Sequence, residues 1–352
     1  MLLLLLILLV ALFLVSYALI VHIKTTENDI FPDEVYYVKT QDGWQIRVCR
    51  YTNNPEGWPI LFVHGFGSNQ NNFIRPLRFS MVDYLRDKNY DCWTMEMRYC
   101  KSSIPPRNRC YEDSTIDDVL LYDIPAVIDL ILQKTSKQSL FWIGLSLGGM
   151  LLYAFLTHLG NNKIKGGITL GAPLGFKNTK PTISPWLVSR VKNRLPFYIF
   201  LLKLLIPLLK TLKIDNPFFP VNPNNLHRAL TKWDLCKMIE PPSPQMLQTL
   251  ADWYINNKWE MLDGKLKPME EIEKINIPLL LFFAPSDPFV NVFTAYDFFN
   301  SLPNPQKEMI VLGRQNGCKH DYNHCDLAFG ESAEKEVFEP IYNWIEKISQ
   351  LP

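Results

Sequence analysis

The chain has 352 residues, 47% of them hydrophobic, enough to bury a large core and to exclude a wholly disordered protein. Its formal net charge is +1, from 36 Lys and Arg against 35 Asp and Glu, so no general attraction to nucleic acid is expected, and no nucleic-acid-binding motif is present.

The first predicted element is Leu2 to Ile23, an apolar run interrupted only by Ser16 and His22 and closed by Lys24. As a helix it would be about 33 Å long, enough to cross a hydrocarbon core of about 30 Å. A cleaved signal peptide is the rival, because Ser16-Tyr-Ala18 offers small residues for a cleavage site, and cleavage would make the chain secreted. The absence of basic residues before the run, and its continuation past Ala18, favour an uncleaved single-pass anchor over residues 1–24. The flanking charges do not fix the side of the membrane that the rest of the chain faces.

After a linker over 25–35, Tyr36 to Thr40 and Trp44 to Tyr51 read as two strands joined at Gln41-Asp42-Gly43, a hairpin turn. Pro59 to Val63 is a short continuous apolar run, expected as a central strand buried on both faces, and it ends at His64-Gly-Phe-Gly67. A helix is expected over Phe79 to Asp87, a strand over Asp91 to Met97, and a helix over Ile116 to Gln133 capped by Ser114 or Thr115. Leu140 to Ile143 is a further strand, Leu147 to Leu159 a helix, and Gly166 to Leu170 a strand. The rhythm resumes with a strand at Ile277 to Phe283, a helix at Val290 to Leu302, a strand at Glu308 to Leu312 and a helix at Glu334 to Ile348. Strands alternating with helices predict an α/β fold with a mostly parallel sheet, helices on both faces and an antiparallel hairpin at one edge.

Between these two blocks, residues 172–267 read as a helical insertion over the sheet, leaving 36–171 and 268–352 as the core. Its first part carries Lys177, Lys180, Arg190, Lys192, Arg194, Lys203, Lys210 and Lys213 with no acidic residue, and Phe197 to Leu212 is densely apolar with Pro207 inside it. Lys203, Lys210 and Lys213 share one helical arc. Such a segment could lie in a membrane interface, with its lysines among anionic headgroups, or form an ordinary lid helix with its lysines in water. The seven cysteines show no C-x-x-C pair and no zinc-ligand spacing; Cys100 and Cys110 are near enough for a loop disulfide, with unpaired buried thiols the simpler expectation.

The chemistry is expected at Gly144-Leu-Ser146-Leu-Gly148-Gly149, which sets a serine between glycines on a strand-to-helix turn. The glycines let the backbone close, the turn presents the Ser146 hydroxyl, and the helix behind it directs N–H groups toward a developing oxyanion. A serine nucleophile needs a base and an acid to orient it, both from loops at the same end of a parallel sheet. Asp287, in Ala284-Pro-Ser-Asp-Pro288 after its strand, is the expected acid; the alternative is that it merely caps the following helix. The next loop holds His320 and His324, and His324 is the expected base, with Asp326 bracing the loop. The backbone N–H groups of Phe66 and Leu147 are the expected oxyanion hole.

Together these segments resemble the α/β-hydrolase superfamily, particularly its acid-lipase and monoacylglycerol-lipase-like members, over residues from about Tyr36 onward. The chain order Ser, Asp, His agrees with that resemblance. It implies a triad of Ser146, Asp287 and His324, a helical cap over an acyl pocket, and ester hydrolysis through an acyl-enzyme, with no metal or organic cofactor. One departure stands out: many relatives carry glycines where this chain has Arg98-Tyr-Cys-Lys-Ser102. With the apolar N-terminus, the expectation is a membrane-associated serine esterase acting on lipid-like or apolar esters. An acyltransferase using the same triad, and a non-catalytic membrane scaffold, are the alternatives.

Overall fold

A computed structural model describes residues 2–27, 29–173, 175–176, 184–214 and 220–351, with side chains from residue 10 on. Eight strands form one sheet in the order β1-β2-β4-β3-β5-β6-β7-β8. They are β1 (Glu34–Lys39), β2 (Gln45–Thr52), β3 (Pro59–Val63), β4 (Asp91–Met95), β5 (Leu140–Leu145), β6 (Ile164–Leu170), β7 (Leu279–Phe283) and β8 (Lys307–Val311). The β1–β2 hairpin joins β4 antiparallel, and every pairing from β4 to β8 is parallel.

The apolar runs read as central strands are buried throughout, and their alternation feeds two cores. Leu61, Val63, Trp142 and Leu281 face one core, whereas Ile60, Phe62, Phe141 and Phe282 face the other. Helices follow in chain order: α1 (Leu2–Thr26), α2 (Asn71–Ile74), α3 (Met81–Asp87), α4 (Ile116–Asp118), α5 (Ile124–Thr135), α6 (Leu147–His158), α7 (Pro185–Val191), α8 (Leu195–Leu212), α9 (Lys232–Lys237), α10 (Pro244–Asn256), α11 (Val292–Ser301) and α12 (Glu339–Ser349). Residues of α5, α6 and α11 fill the first core, and residues of α3 and α12 the second.

The structure differs from expectation in three details. Strand β4 stops at Met95, because the Met97 N–H turns to His64 Nε2 and the chain folds back through Cys100 N–H to Met97 O. The helix expected from Ile116 is capped by the Thr115 hydroxyl and interrupted by a π-turn at Val119–Asp123. The lysine arc of the insertion does not face outward as a stripe. Lys210 Nζ donates to Leu230 O and Lys203 is half-buried, while Leu201, Leu205, Leu208 and Leu212 are exposed. Helix α8 continues through Pro207; Lys177 and Lys180 lie outside the described residues.

Helices α7 to α10 occupy the chain between β6 and β7. Among the described side chains, Val10–Thr26 of α1 form an apolar helix, and Pro185–Leu212 is long and apolar enough by length and composition to cross a bilayer. Helix α1 packs on the insertion: Val21 is buried, and the Tyr17 hydroxyl donates to Leu204 O at 2.8 Å. The segment after α1 is fastened by Asp29, which pairs with Arg75 and with Lys237 at 2.8 Å, and Arg75 also pairs with Asp234 at 2.7 Å. Cys100 and Cys110 do not form the loop disulfide that their spacing allows, Cys100 being buried and Cys110 exposed.

Candidate active site

Ser146 stands between β5 and α6 with φ +52° and ψ −115°, a left-handed conformation uncommon for a residue with a Cβ. Three backbone bonds hold it there: its N–H donates to Leu170 O at 2.9 Å, and its carbonyl accepts from Gly149 and Met150 at 2.9 and 3.1 Å. The flanking glycines are required by space. A Cβ at Gly144 would lie 2.4 Å from Gly148 O, and one at Gly148 would lie 2.0 Å from Val63 O, so β3, β5 and α6 approach closely only without side chains there. Trp142 Nε1 donates to Gly148 O at 3.1 Å and ties the start of α6 back to its own strand.

Asp287 and His324 meet in the loops after β7 and β8. His324 Nδ1 lies 2.6 Å from Asp287 Oδ2, and both side chains are buried. The other carboxylate oxygen of Asp287 accepts from Phe289 N at 2.8 Å, which fixes the carboxylate plane. Asp287 does not cap α11; that role falls to Asn291, whose side chain accepts from Phe293 N. The Phe289 ring packs edge-on against the His324 imidazole at 4.9 Å. Asp326, two residues after His324, accepts from Asn323 N, Asn222 N and Asn225 Nδ2 at 3.0, 3.2 and 2.7 Å, so it pins the loop to the insertion. Burial pushes its carboxyl up to about 7. His320 is half-buried and does not line the cavity described next.

Ser146 and His324 line one cavity of about 230 Å³, together with Gly65, Phe66 and Leu147. A Cβ at Gly65 would lie 3.1 Å from Ser146 Cβ, so the loop after β3 runs directly beside the serine. Apart from Ser68 and Asn72, the remaining walls are largely apolar and come mostly from the insertion: Val188 of α7, Leu195, Ile199 and Leu202 of α8, and Leu247 and Tyr254 of α10. The arrangement sets one hydroxyl and one imidazole–carboxylate pair at the floor of an apolar chamber, whose low polarity strengthens electrostatic contacts with a reacting ester.

Residues 59–200 match the family model for the alpha/beta hydrolase fold. Lipase lipl-1 of Caenorhabditis elegans is 24% identical over 88% of this chain and 87% of its own length. Human gastric triacylglycerol lipase is 30% identical over 44% of this chain and 42% of that protein. Among solved structures, an esterase from Exiguobacterium antarcticum superimposes with a TM-score of 0.58 at 14% identity, covering 89% of this chain and all of that one. A monoacylglycerol lipase from Paleococcus ferrophilus gives 0.55 at 16% identity, covering 86% and 99%. The chain is thus similar to the α/β-hydrolases over residues 59–200 and to a lipase over most of its length. The lipase and esterase relatives support a serine ester hydrolase.

Two features of the site were not anticipated in the sequence. Gly171, at the end of β6 with φ +55°, leaves room for the pair: a Cβ there would lie 3.1 Å from Asp287 Oδ2 and 3.2 Å from His324 Nδ1. Its signal was a glycine directly after an apolar strand, in Leu170-Gly-Ala-Pro173. The second is a buried group behind the Gly65 loop, where ligand atoms of His64, Glu96 and Cys100 lie within 4.8 Å of one another. Those residue types suit a soft divalent cation. The fit is poor, however, because the His64 Nε2 lone pair already accepts the Met97 N–H at 3.1 Å. Burial pushes the His64 imidazole down to about 4 and the Glu96 carboxyl up to about 7.

Proposed function

We propose that this hydrolase cleaves carboxylic esters of lipid-like or apolar acyl substrates, with Ser146 as nucleophile, His324 as general base and Asp287 as its orienting acid. The observation that carries the reading is the buried 2.6 Å contact between His324 and Asp287, placed at the same apolar cavity that Ser146 lines. His324 takes the Ser146 proton as the hydroxyl attacks the ester carbonyl. The backbone N–H groups of Phe66 and Leu147 stabilise the oxyanion, worth about 3 kcal/mol per donor. The protonated imidazole then delivers its proton to the departing alcohol, and water activated by the same histidine releases the acid from Ser146. Asp287 keeps the proton on Nδ1, so that Nε2 faces the serine.

The apolar walls support an acyl chain as the bound group, and the lipase relatives agree with that choice. In this reading residues 172–267 are a cap on a core of 36–171 and 268–352. The enzyme works at a membrane, with α1 as a single-pass N-terminal anchor and the exposed leucines of α8 resting on the lipid surface. The exposed side chains Phe13, Val15 and Ile20 of α1 and Leu201, Leu205 and Leu208 of α8 support that placement.

Fluorophosphonate labelling of the wild type, with loss of label in Ser146→Ala, is the expected result; label retained in Ser146→Ala overturns the nucleophile. Long-chain esters should be hydrolysed in preference to short water-soluble ones, and equal rates would overturn the lipid assignment. Leu205→Glu with Leu208→Glu should reduce co-sedimentation with anionic phospholipid vesicles without changing turnover of a soluble ester, and unchanged sedimentation would overturn the role of α8.

A further inference from the structure

The Gly65 carbonyl oxygen is the meeting point of three buried donors. His64 Nδ1 lies 3.0 Å from it, Ser68 Oγ 3.0 Å and the Tyr99 hydroxyl 3.1 Å. The donor on His64 is fixed by a neighbour, because Nε2 accepts the Met97 N–H and the proton must therefore sit on Nδ1. Tyr99 is held in turn by Ser68: its oxygen accepts the Ser68 N–H at 3.2 Å, and its proton is shared between Gly65 O and Ser68 O at 2.9 Å. The Tyr99 ring packs edge-on against His64, 5.8 Å between centroids, and no member of the trio is more than 7% exposed.

Three donors exceed what an ordinary loop carbonyl attracts, and this carbonyl belongs to the peptide whose N–H is that of Phe66. In a trans peptide the C=O and N–H point in opposite directions within one plane. Donors that hold the Gly65 oxygen therefore turn the Phe66 N–H away from the trio, in a loop that runs beside Ser146 and lines the same cavity. Hydrogen bonds to a carbonyl also polarise the amide, which makes its N–H a stronger donor. We propose that His64, Ser68 and Tyr99 are positioning residues for the oxyanion, clamping and polarising the Gly65–Phe66 peptide so that its N–H is set before the substrate arrives. The proposal rests on the reading of Phe66 as an oxyanion donor. It also gives a role to Tyr99, which lies in the stretch where the sequence departs from the glycines of many relatives.

The test is steady-state kinetics of Tyr99→Phe and Ser68→Ala with a soluble ester, beside the affinity of each variant for a trifluoromethyl ketone that forms a tetrahedral adduct on the serine. Removing one clamp should lower kcat roughly tenfold, since small displacements at a reacting centre have effects of this size or larger. KM should be unchanged, and the ketone should bind weaker by the same factor as kcat falls. A variant with unchanged kcat, or with KM raised and kcat retained, overturns the clamp; a purely structural role would lower the melting temperature and the active fraction without weakening the ketone on the active fraction. Phe66→Pro, which removes the N–H itself, separates the two ideas. If it retains kcat, the Phe66 donor reading fails; if it loses kcat while Tyr99→Phe and Ser68→Ala do not, the clamp alone fails. Should Phe66→Pro not fold, the ketone affinities of Tyr99→Phe and Ser68→Ala still decide the clamp.

Discussion

Replacing Ser146 by glycine should yield a more stable protein than replacing it by alanine, although both lack the nucleophile. At φ +52° and ψ −115° a Cβ is crowded by its own backbone, and such a conformation costs about 1–3 kcal/mol. The alanine variant keeps that cost, because the bonds from Ser146 N–H to Leu170 O and from Gly149 and Met150 to Ser146 O still impose the turn. Glycine removes it but loses about 0.5–1 kcal/mol through its freer unfolded chain. With both terms near mid-range the net advantage of glycine is about 1 kcal/mol, a rise in melting temperature of about 1–2 °C for a chain of this size at about 2.1 cal/mol/K per residue. Differential scanning calorimetry of the two variants under one set of conditions measures it. A glycine variant that melts at or below the alanine variant would refute the claim that the elbow stores strain at Ser146.

Gly148→Ala should lose both stability and turnover: its Cβ would stand 2.0 Å from Val63 O, so α6 must move off β3, at about 1–3 kcal/mol of overpacking, and chemical denaturation with kcat measured alongside tests both effects. Asp287→Asn should leave the fold intact, since Phe289 N can still be accepted by the amide oxygen, but lower kcat by about 10³–10⁴-fold through loss of the correct imidazole tautomer; a loss under tenfold would remove Asp287 from the mechanism. Glu96 provides a pH prediction. Its carboxyl is buried, one oxygen has no hydrogen-bond partner, and it titrates at about 7 in the folded chain against 4.5 unfolded. The folded state therefore holds the proton more tightly, so this contribution is fully present below about pH 4.5 and is lost as pH rises to 7. Glu96→Gln should stabilise the protein by about 3 kcal/mol at pH 8 and little at pH 4.5, and parallel unfolding profiles across that range would contradict it.

The sheet and the serine turn were legible because their signals are local. A strand buried on both faces must be a short apolar run, as Pro59 to Val63 and Leu279 to Phe283 are, and a strained turn needs glycine where neighbouring backbones touch. Chain order then placed the carboxylate and the imidazole in the two loops where Asp287 and His324 are found. What stayed hidden depends on partners distant in sequence. The lysine arc of α8 could be assigned to one side of a helix, but not to the side facing α9, because periodicity gives a face and not its neighbour. The π-turn at Val119–Asp123 is similarly non-local: Asp123 accepts from Arg98 Nε at 3.0 Å and Nη2 at 2.6 Å, across 25 positions.

That contact also explains the departure at Arg98 to Ser102. Arg98 is fully buried between Asp42 of the hairpin turn, Asp118 and Asp123, with N–O distances of 2.7, 3.3 and 2.6 Å, and it lies over the Trp44 ring at 5.3 Å. Glycines after a strand give a tight turn through backbone freedom alone. Here the turn after β4 is held by a charge network that joins the edge hairpin, the end of β4 and the start of α5. Breaking one arm of such a network leaves buried charge uncompensated, typically at 3–5 kcal/mol, so the segment is rigid in a way that glycines are not. Tyr99 is the next residue, and a hydroxyl that must hold the Gly65 carbonyl at 3.1 Å needs a rigid base. The replacement that looked like a loss of pattern in the sequence is, in the fold, the support on which the loop beside Ser146 rests.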